Sequence, residues 1–269
     1  MVPAREPMND TLRRELDRYW DALEIPPERR ERVEFQSRRY AAVVDFCRRL
    51  PPLADRRVLD LGGGIGGLAA SLHAVYGGTY DVADFAAPDA ARAARVGSFG
   101  IRAFYRCDLT AAAPLASIAP GTYDVILFVE VMEHLYRNPR LLLRAIRERL
   151  APGGLLVLTT PNQARLRNRL QLLRGASIRD GDVFAGEGPA DNGHVLEYTK
   201  RDVVAVARRE GFRPIALEVR QNPPSPAGSS IHPESRALWR RLGGPLLDAE
   251  AFRGLELGDE IFGLFGAPT

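Results

Sequence analysis

Lysine is almost missing from this chain of 269 residues: Lys200 is the sole example, so arginine supplies the other 36 of the 37 basic side chains. Schiff-base chemistry therefore has one candidate, at what reads as a helix start, and is set aside. Cysteine is as scarce. Cys47 and Cys107 have neither the spacing of a metal site nor the number for a disulfide framework, so both read as reduced structural thiols. No apolar run approaches the ~18 residues of a membrane span. The opening segment, with Pro3, Glu6 and Asp10, lacks an apolar signal core, and a soluble, cytoplasmic protein is expected. A charge excess is missing too. A net charge of +3 falls short of the clustered cations that hold a phosphate backbone, which disfavours a nucleic-acid partner.

The remaining composition is average for a folded domain, with 45% hydrophobic and 26% charged residues, which excludes disorder for the bulk. From Asn9 to about Leu50, Leu12, Leu16, Tyr19 and Trp20 recur at helical spacing, and Pro26-Pro27 break the pattern in two. Residues 1–50 are therefore a helical cap. From Arg57 onward short β-type runs alternate with helical stretches: Val58 to Leu61, Tyr80 to Ala83, Ala103 to Arg106, Asp124 to Val129, Leu155 to Thr160, and Pro214 to Val219. Such alternation predicts an α/β domain over 51–269 with a parallel sheet and crossover helices. An insertion, Pro161 to Tyr198, opens as an Arg/Leu helix (Arg165 to Arg174) and continues through a glycine-rich segment, Gly181 to Gly193; it reads as a lid or substrate loop. Thr199 and Asp202 read as a capping box. After Pro223, Pro224 and Pro226 a helix is expected near Ala237 to Leu242, and the apolar run Ile261 to Phe265 would close the sheet.

Val58 to Gly67 is a strand, a glycine turn and a helix start, a combination that brings backbone N–H groups close to a nucleotide-like ligand. Gly62, Gly64 and Gly67 have dinucleotide spacing; Gly62, Gly64 and Gly66 have the tighter spacing of S-adenosylmethionine (SAM) enzymes. Three acids at strand ends separate the two. Asp60, two residues before the first glycine, can order the loop and reach the ammonium of SAM. Asp84 can accept from both ribose hydroxyls, and Asp108 can receive the adenine amino group. A single aspartate at such a place is more often a turn cap; three in succession weaken that explanation.

On these residues the chain resembles the class I SAM-dependent methyltransferases. Val58 to Gly67 matches their first motif, Asp84 the second, Asp108 the third, and Pro152-Gly153-Gly154 the turn before the fifth strand. The resemblance covers about Arg57 to Phe265. It implies a Rossmann-like, seven-stranded, mostly parallel sheet with an antiparallel last strand. It also implies SAM as cofactor, held by Asp60, Gly62, Gly64, Gly66, Asp84, Phe85, Asp108, Leu109, Val129 and Glu130.

After the fourth run, Glu130, Glu133 and His134 would share one face of a helix beginning there. Two carboxylates and an imidazole can hold a divalent cation or act as a general base; a capping glutamate with a packed histidine is the plain alternative. With Thr160-Pro161-Asn162 and His194-Val195-Leu196-Glu197-Tyr198-Thr199, the set resembles a branch that includes ubiquinone-pathway O-methyltransferases and small-RNA ribose 2′-O-methyltransferases. That resemblance implies Glu130, Glu133, His134 and His194 as ligands of magnesium, an optional further cofactor. It also implies Glu133, His134 and His194 as catalytic residues facing the acceptor. Without a metal, His134 or His194 would serve as base or anchor. His73 and His232 have no such company.

The expected activity is transfer of the SAM methyl group to an oxygen of a small-molecule substrate. N-methylation and RNA ribose 2′-O-methylation stand as alternatives within the class. A nicotinamide oxidoreductase lacks its Tyr-x-x-x-Lys pair, since Leu196 stands four residues before Lys200. A SAM-sensing, non-catalytic relative would have no use for the acceptor side. The arginines of the 165–174 helix could meet a phosphate, a carrier protein or a lipid headgroup, but a solvated face is the plainer reading. Tyr19, Trp20, Phe35 and Tyr40 read mainly as core.

Overall fold

The structure is a computed structural model and describes residues 10–26, 39–85, 88–178, 194–221 and 256–268. Seven strands form one sheet in the order β3-β2-β1-β4-β5-β7-β6. The strands are β1 (Arg57–Leu61), β2 (Thr79–Asp84), β3 (Ile101–Arg106), β4 (Tyr123–Val129), β5 (Leu150–Pro161), β6 (Arg213–Arg220) and β7 (Glu260–Gly266). Parallel pairing joins β3 to β2, β2 to β1, β1 to β4 and β4 to β5. β7 runs antiparallel to both its neighbours, β5 and β6. This is the expected antiparallel final strand, set inside the sheet between β5 and β6. Pairing on both sides leaves it buried throughout, which accounts for its unbroken apolar composition.

The helices are α1 (Asp10–Ala22), α2 (39–46), α3 (Gly67–Tyr76), α4 (Ala90–Arg95), α5 (Arg140–Arg149), α6 (Leu166–Leu173) and α7 (Lys200–Arg209). Period-2 alternation in the central strands feeds two apolar layers. Val58, Val125, Leu127 and Val157 face a layer shared with Leu12, Leu16, Tyr19 and Trp20 of α1 and with Phe46 of α2. Leu59, Leu61, Ile126, Phe128, Leu156 and Leu158 face the other layer, with Leu142, Leu143 and Ile146 of α5 and Val203 and Ala207 of α7. The N-terminal helices are thus packed onto one face of the sheet. Cys47 and Cys107 are buried free thiols. Thr199 caps α7: its hydroxyl accepts from the Asp202 N–H while the Asp202 carboxylate accepts from the Thr199 N–H.

Phe35, His232, the whole glycine-rich part of the insertion (181–193) and the helix expected near residue 237 lie outside the described residues. Among the described residues no helix is long and apolar enough to cross a membrane.

Gly66 closes the turn into α3 as its N-cap at φ +88°, where an added Cβ would lie 2.7 Å from both Ile101 Cδ1 and Tyr19 Oη. Gly64 is also left-handed, at φ +55°, but has nothing within 4 Å. Gly66→Ala should therefore cost about 2–5 kcal/mol, adding overpacking to left-handed strain, whereas Gly64→Ala should cost about 1–2 kcal/mol from strain alone. Urea unfolding of the two variants beside the parent checks the difference.

Candidate active site

β1 ends at the C-terminal edge of the sheet, and the chain turns back through Gly62, Gly64 and Gly66, all with positive φ, into α3. The Gly62 N–H donates to the Ala83 carbonyl (2.8 Å), and the Gly64 N–H donates to Asp84 Oδ2 (3.0 Å), so the second strand's terminal acid fastens the loop. Val131 Cγ2 stands where a Cβ on Gly62 would be, 2.3 Å away. This places the chain after β4 directly over the glycine turn.

Asp60 lies beneath the loop, 1% exposed, and an added Cβ on Gly63 would come within 2.4 Å of its Oδ2. That oxygen has no hydrogen-bond partner among the described residues. Burial, and then the charge of Asp84, push the Asp60 carboxyl up to about 7, against the pull of the Ala69 N–H. A buried acid with an unused oxygen next to a glycine turn is suited to a cationic group. Asp108 behaves differently. It is exposed and accepts from the Thr110 hydroxyl (2.6 Å) and N–H (2.8 Å), which hold it below the usual carboxylate range. Phe85 is 72% exposed beside Asp84, whereas Leu109 and Val129 are half-buried.

Three residues reach this edge without having been singled out as site residues. The Tyr19 hydroxyl donates to the Ile65 carbonyl inside the glycine turn. Tyr40 packs its ring 2.9 Å from a Cβ position on Gly67. Arg39 forms an ion pair with Glu130. Tyr19 follows the same apolar spacing as Leu12 and Leu16, and Arg39 is one arginine among many, so neither carries a local signal.

The segment after β4 departs from the expected helix. Glu130 takes a left-handed backbone, φ +54°, and a single 3-10 turn, Met132–His134, follows. The kink separates the two glutamates. Glu130 is held by Arg39 and by the Thr159 hydroxyl (3.0 Å). Glu133 turns inward, with no exposed surface, and its Oε2 accepts from the Thr160 hydroxyl (3.0 Å). Burial pushes the Glu133 carboxyl up to about 7, and its Oε1 has no hydrogen-bond partner among the described residues.

The Glu133 carbonyl accepts from the N–H groups of Val195 (2.7 Å) and Leu196 (3.2 Å), which draws His194 to the same place. The rings of His134 and His194 meet edge-on with centroids 5.1 Å apart, and His134 Nε2 lies 3.9 Å from Glu133 Oε1. Glu133, His134 and His194 each offer one ligand atom, all within 4.8 Å of one another. Glu130 is not in that set. The three donors fit a divalent cation: a buried carboxylate oxygen without a partner, beside two imidazoles, is what such an ion compensates.

Asn162, of the Thr-Pro-Asn run, does not join the cluster. Its side chain donates to the carbonyls of Glu256 (2.7 Å) and Gly258 (2.8 Å), and its role is to tie the end of β5 to the approach to β7. Arg165 corrects another expectation. It is 6% exposed and turned inward, pairing with Glu197 (2.9 Å), whose Oε1 also meets His194 Nδ1 (2.9 Å). Burial works against ionisation of Glu197, but the hydrogen bond with His194 and the charge of Arg165 outweigh it and hold the carboxyl below its ordinary value. His73 packs away from the site, with Nδ1 2.9 Å from the Gly78 carbonyl.

Comparison with known proteins bears on the family and the fold. A methyltransferase domain model matches residues 32–217. A ubiquinone biosynthesis O-methyltransferase from Xanthomonas euvesicatoria pv. vesicatoria is 36% identical over 113 residues, 41% of this chain and 45% of that protein. One of the same name from Parvibaculum lavamentivorans is 37% identical over 118 residues, 44% of this chain and 45% of that protein. The chain thus spans about half the length of the curated relatives it matches. An S-adenosylmethionine-dependent methyltransferase from Mesorhizobium loti shares the fold with a TM-score of 0.52 at 18% identity, over 84% of this chain and 96% of that one. A SAM-dependent methyltransferase from Archaeoglobus fulgidus does so with a TM-score of 0.52 at 17% identity, over 84% and 94%. With the strand order, the glycine turn and the family match in hand, this chain belongs to the methyltransferase domain family, in the class I SAM-dependent fold.

Proposed function

We propose that this protein transfers the SAM methyl group to a hydroxyl oxygen of a small-molecule acceptor. The observation that carries the reading is the convergence of Glu133, His134 and His194 beside the glycine turn. The glycine turn at 62, 64 and 66 would take the cofactor against its backbone, with Asp60 for its ammonium and Asp84 and Asp108 for its ribose and adenine. Bound here, SAM would supply an activated methyl group, whose transfer to the acceptor oxygen breaks the C–S bond and releases S-adenosylhomocysteine. Positioning supplies most of the rate, because the methyl group is already activated. Where no cation is bound, the hydroxyl proton passes to the lone-pair nitrogen of His134 or His194. Glu133, His134 and His194 would hold a divalent cation, magnesium by the family resemblance, and such an ion lowers the pKa of a bound hydroxyl. The O-methyltransferase names of the curated relatives support oxygen as the acceptor atom.

S-adenosylhomocysteine should bind the metal-stripped protein in calorimetry, and added magnesium should then produce a second heat. His134→Ala and His194→Ala should remove that second heat, leave cofactor affinity within about threefold, and lower turnover of a dihydroxybenzoate probe about 100-fold or more. Methylation of amino-substituted aromatic probes in place of hydroxylated ones would overturn the choice of oxygen. Absence of cofactor heat would overturn the whole reading.

The raised Asp60 pKa gives a second test, on the free protein. The native state binds this proton more tightly than the unfolded chain, the carboxyl being pushed from its ordinary 3.8 up to about 7. Stability from Asp60 is then fully present below pH 3.8 and lost as pH rises to 7. Over that window the loss is roughly 4 kcal/mol. Urea midpoints between pH 4 and pH 7.5 should fall less steeply in Asp60→Asn than in the parent.

A further inference from the structure

Behind His194 lies a buried polar network that the methyl-transfer chemistry above does not use. Glu197 Oε1 receives Arg165 Nη2 (2.9 Å) and lies 2.9 Å from His194 Nδ1, while its Oε2 accepts from Asn168 Nδ2 (3.1 Å). Arg165 Nε in turn donates to Asn168 Oδ1 (3.1 Å), and Asn168 Nδ2 also donates to the Gln163 carbonyl (2.9 Å). Asn168 has no exposed surface and Arg165 is 6% exposed. Both belong to the first turn of α6 or its cap, so a helix of the insertion reaches the acceptor side through its interior face.

A buried arginine–glutamate pair contributes little net stability, because desolvating two charges offsets most of their attraction. Orientation is what such a network supplies. A carboxylate pinned by a guanidinium and an amide has only acceptor sites, so the His194 nitrogen facing it must carry the proton. In the neutral ring the remaining lone pair is then on Nε2, the nitrogen left for the Glu133–His134 side.

We propose that Glu197, held by Arg165 and Asn168, is a positioning residue that locks His194 as the Nδ1–H tautomer and aims Nε2 at the reaction side. The inference rests on His194 facing the acceptor, but its test does not need the acceptor. Nitrogen-15 histidine spectra of the full chain, recorded without metal at a pH where the rings are neutral, report each tautomer directly. The chain has only 4 histidines, and the His194 signal is identified by its loss in His194→Gln.

The expected wild-type spectrum shows a protonated Nδ1 and a pyridine-like Nε2 at His194. Glu197→Gln, which keeps an acceptor oxygen, should retain that tautomer; Glu197→Ala should shift it towards Nε2–H. Turnover should fall about 10- to 100-fold in Glu197→Ala, and less in Glu197→Gln, with S-adenosylhomocysteine affinity unchanged. A wild-type His194 protonated on Nε2, or an unchanged tautomer in a folded Glu197→Ala, would overturn the inference. The wild-type spectrum decides even where Glu197→Ala does not fold, and loss of wild-type cofactor binding would instead strike the methyltransferase reading alone.

Discussion

Glu133 sits without exposed surface at the C-terminal edge of the sheet, and three separate stretches of chain are fastened to it. Its side chain accepts from Thr160 at the end of β5, and its carbonyl accepts from the backbone that carries His194. Its neighbour His134 shares the same short turn. Remove this residue and the turn after β4, the end of β5 and the return of the insertion lose their common point. Burying a carboxylate in this way costs several kcal/mol unless its oxygens find partners. One oxygen accepts from Thr160, and the other lies 3.9 Å from His134 Nε2 with no hydrogen-bond partner among the described residues.

Asp60 repeats the same physics under the glycine turn. Both acids are buried, both are pushed up to about 7, and both leave one oxygen without a hydrogen bond among the described residues. One is suited to the cationic end of a cofactor, the other to a cation or proton on the acceptor side. Perturbed acids of this kind gather at functional sites, and ligands of open α/β sheets bind beyond the carboxyl ends of the strands.

The N-terminal helices are part of this edge. Tyr19 and Tyr40 fill the space that larger residues at Gly66 and Gly67 would need, and Arg39 pairs with the side chain of Glu130. Apolar burial of Leu12, Leu16, Trp20 and Phe46 on the sheet keeps those polar contacts in place. Packing of the helices and shape of the cofactor turn are therefore one constraint.

Local rules made the framework legible in the sequence. Short β-type runs, glycines between a strand and a helix, and the Thr199–Asp202 box act over a few residues, and each appears where its residues predict it. Even the position of β7 escaped them, because which strand lies beside which depends on long-range pairing. The Glu130–Glu133–His134 trio was legible as a set of residue types but not as a geometry. A local kink sent Glu130 to Arg39 and only Glu133 and His134 to His194. Arg165 looked like one more solvated arginine, and nothing near it in the chain marks it as the buried partner of Glu197. Sequence alone determined the elements, the glycine turn and the candidate acids, since those follow from neighbours along the chain. Only the tertiary structure decided which of them share a site, since that depends on how segments far apart in sequence return to one sheet edge.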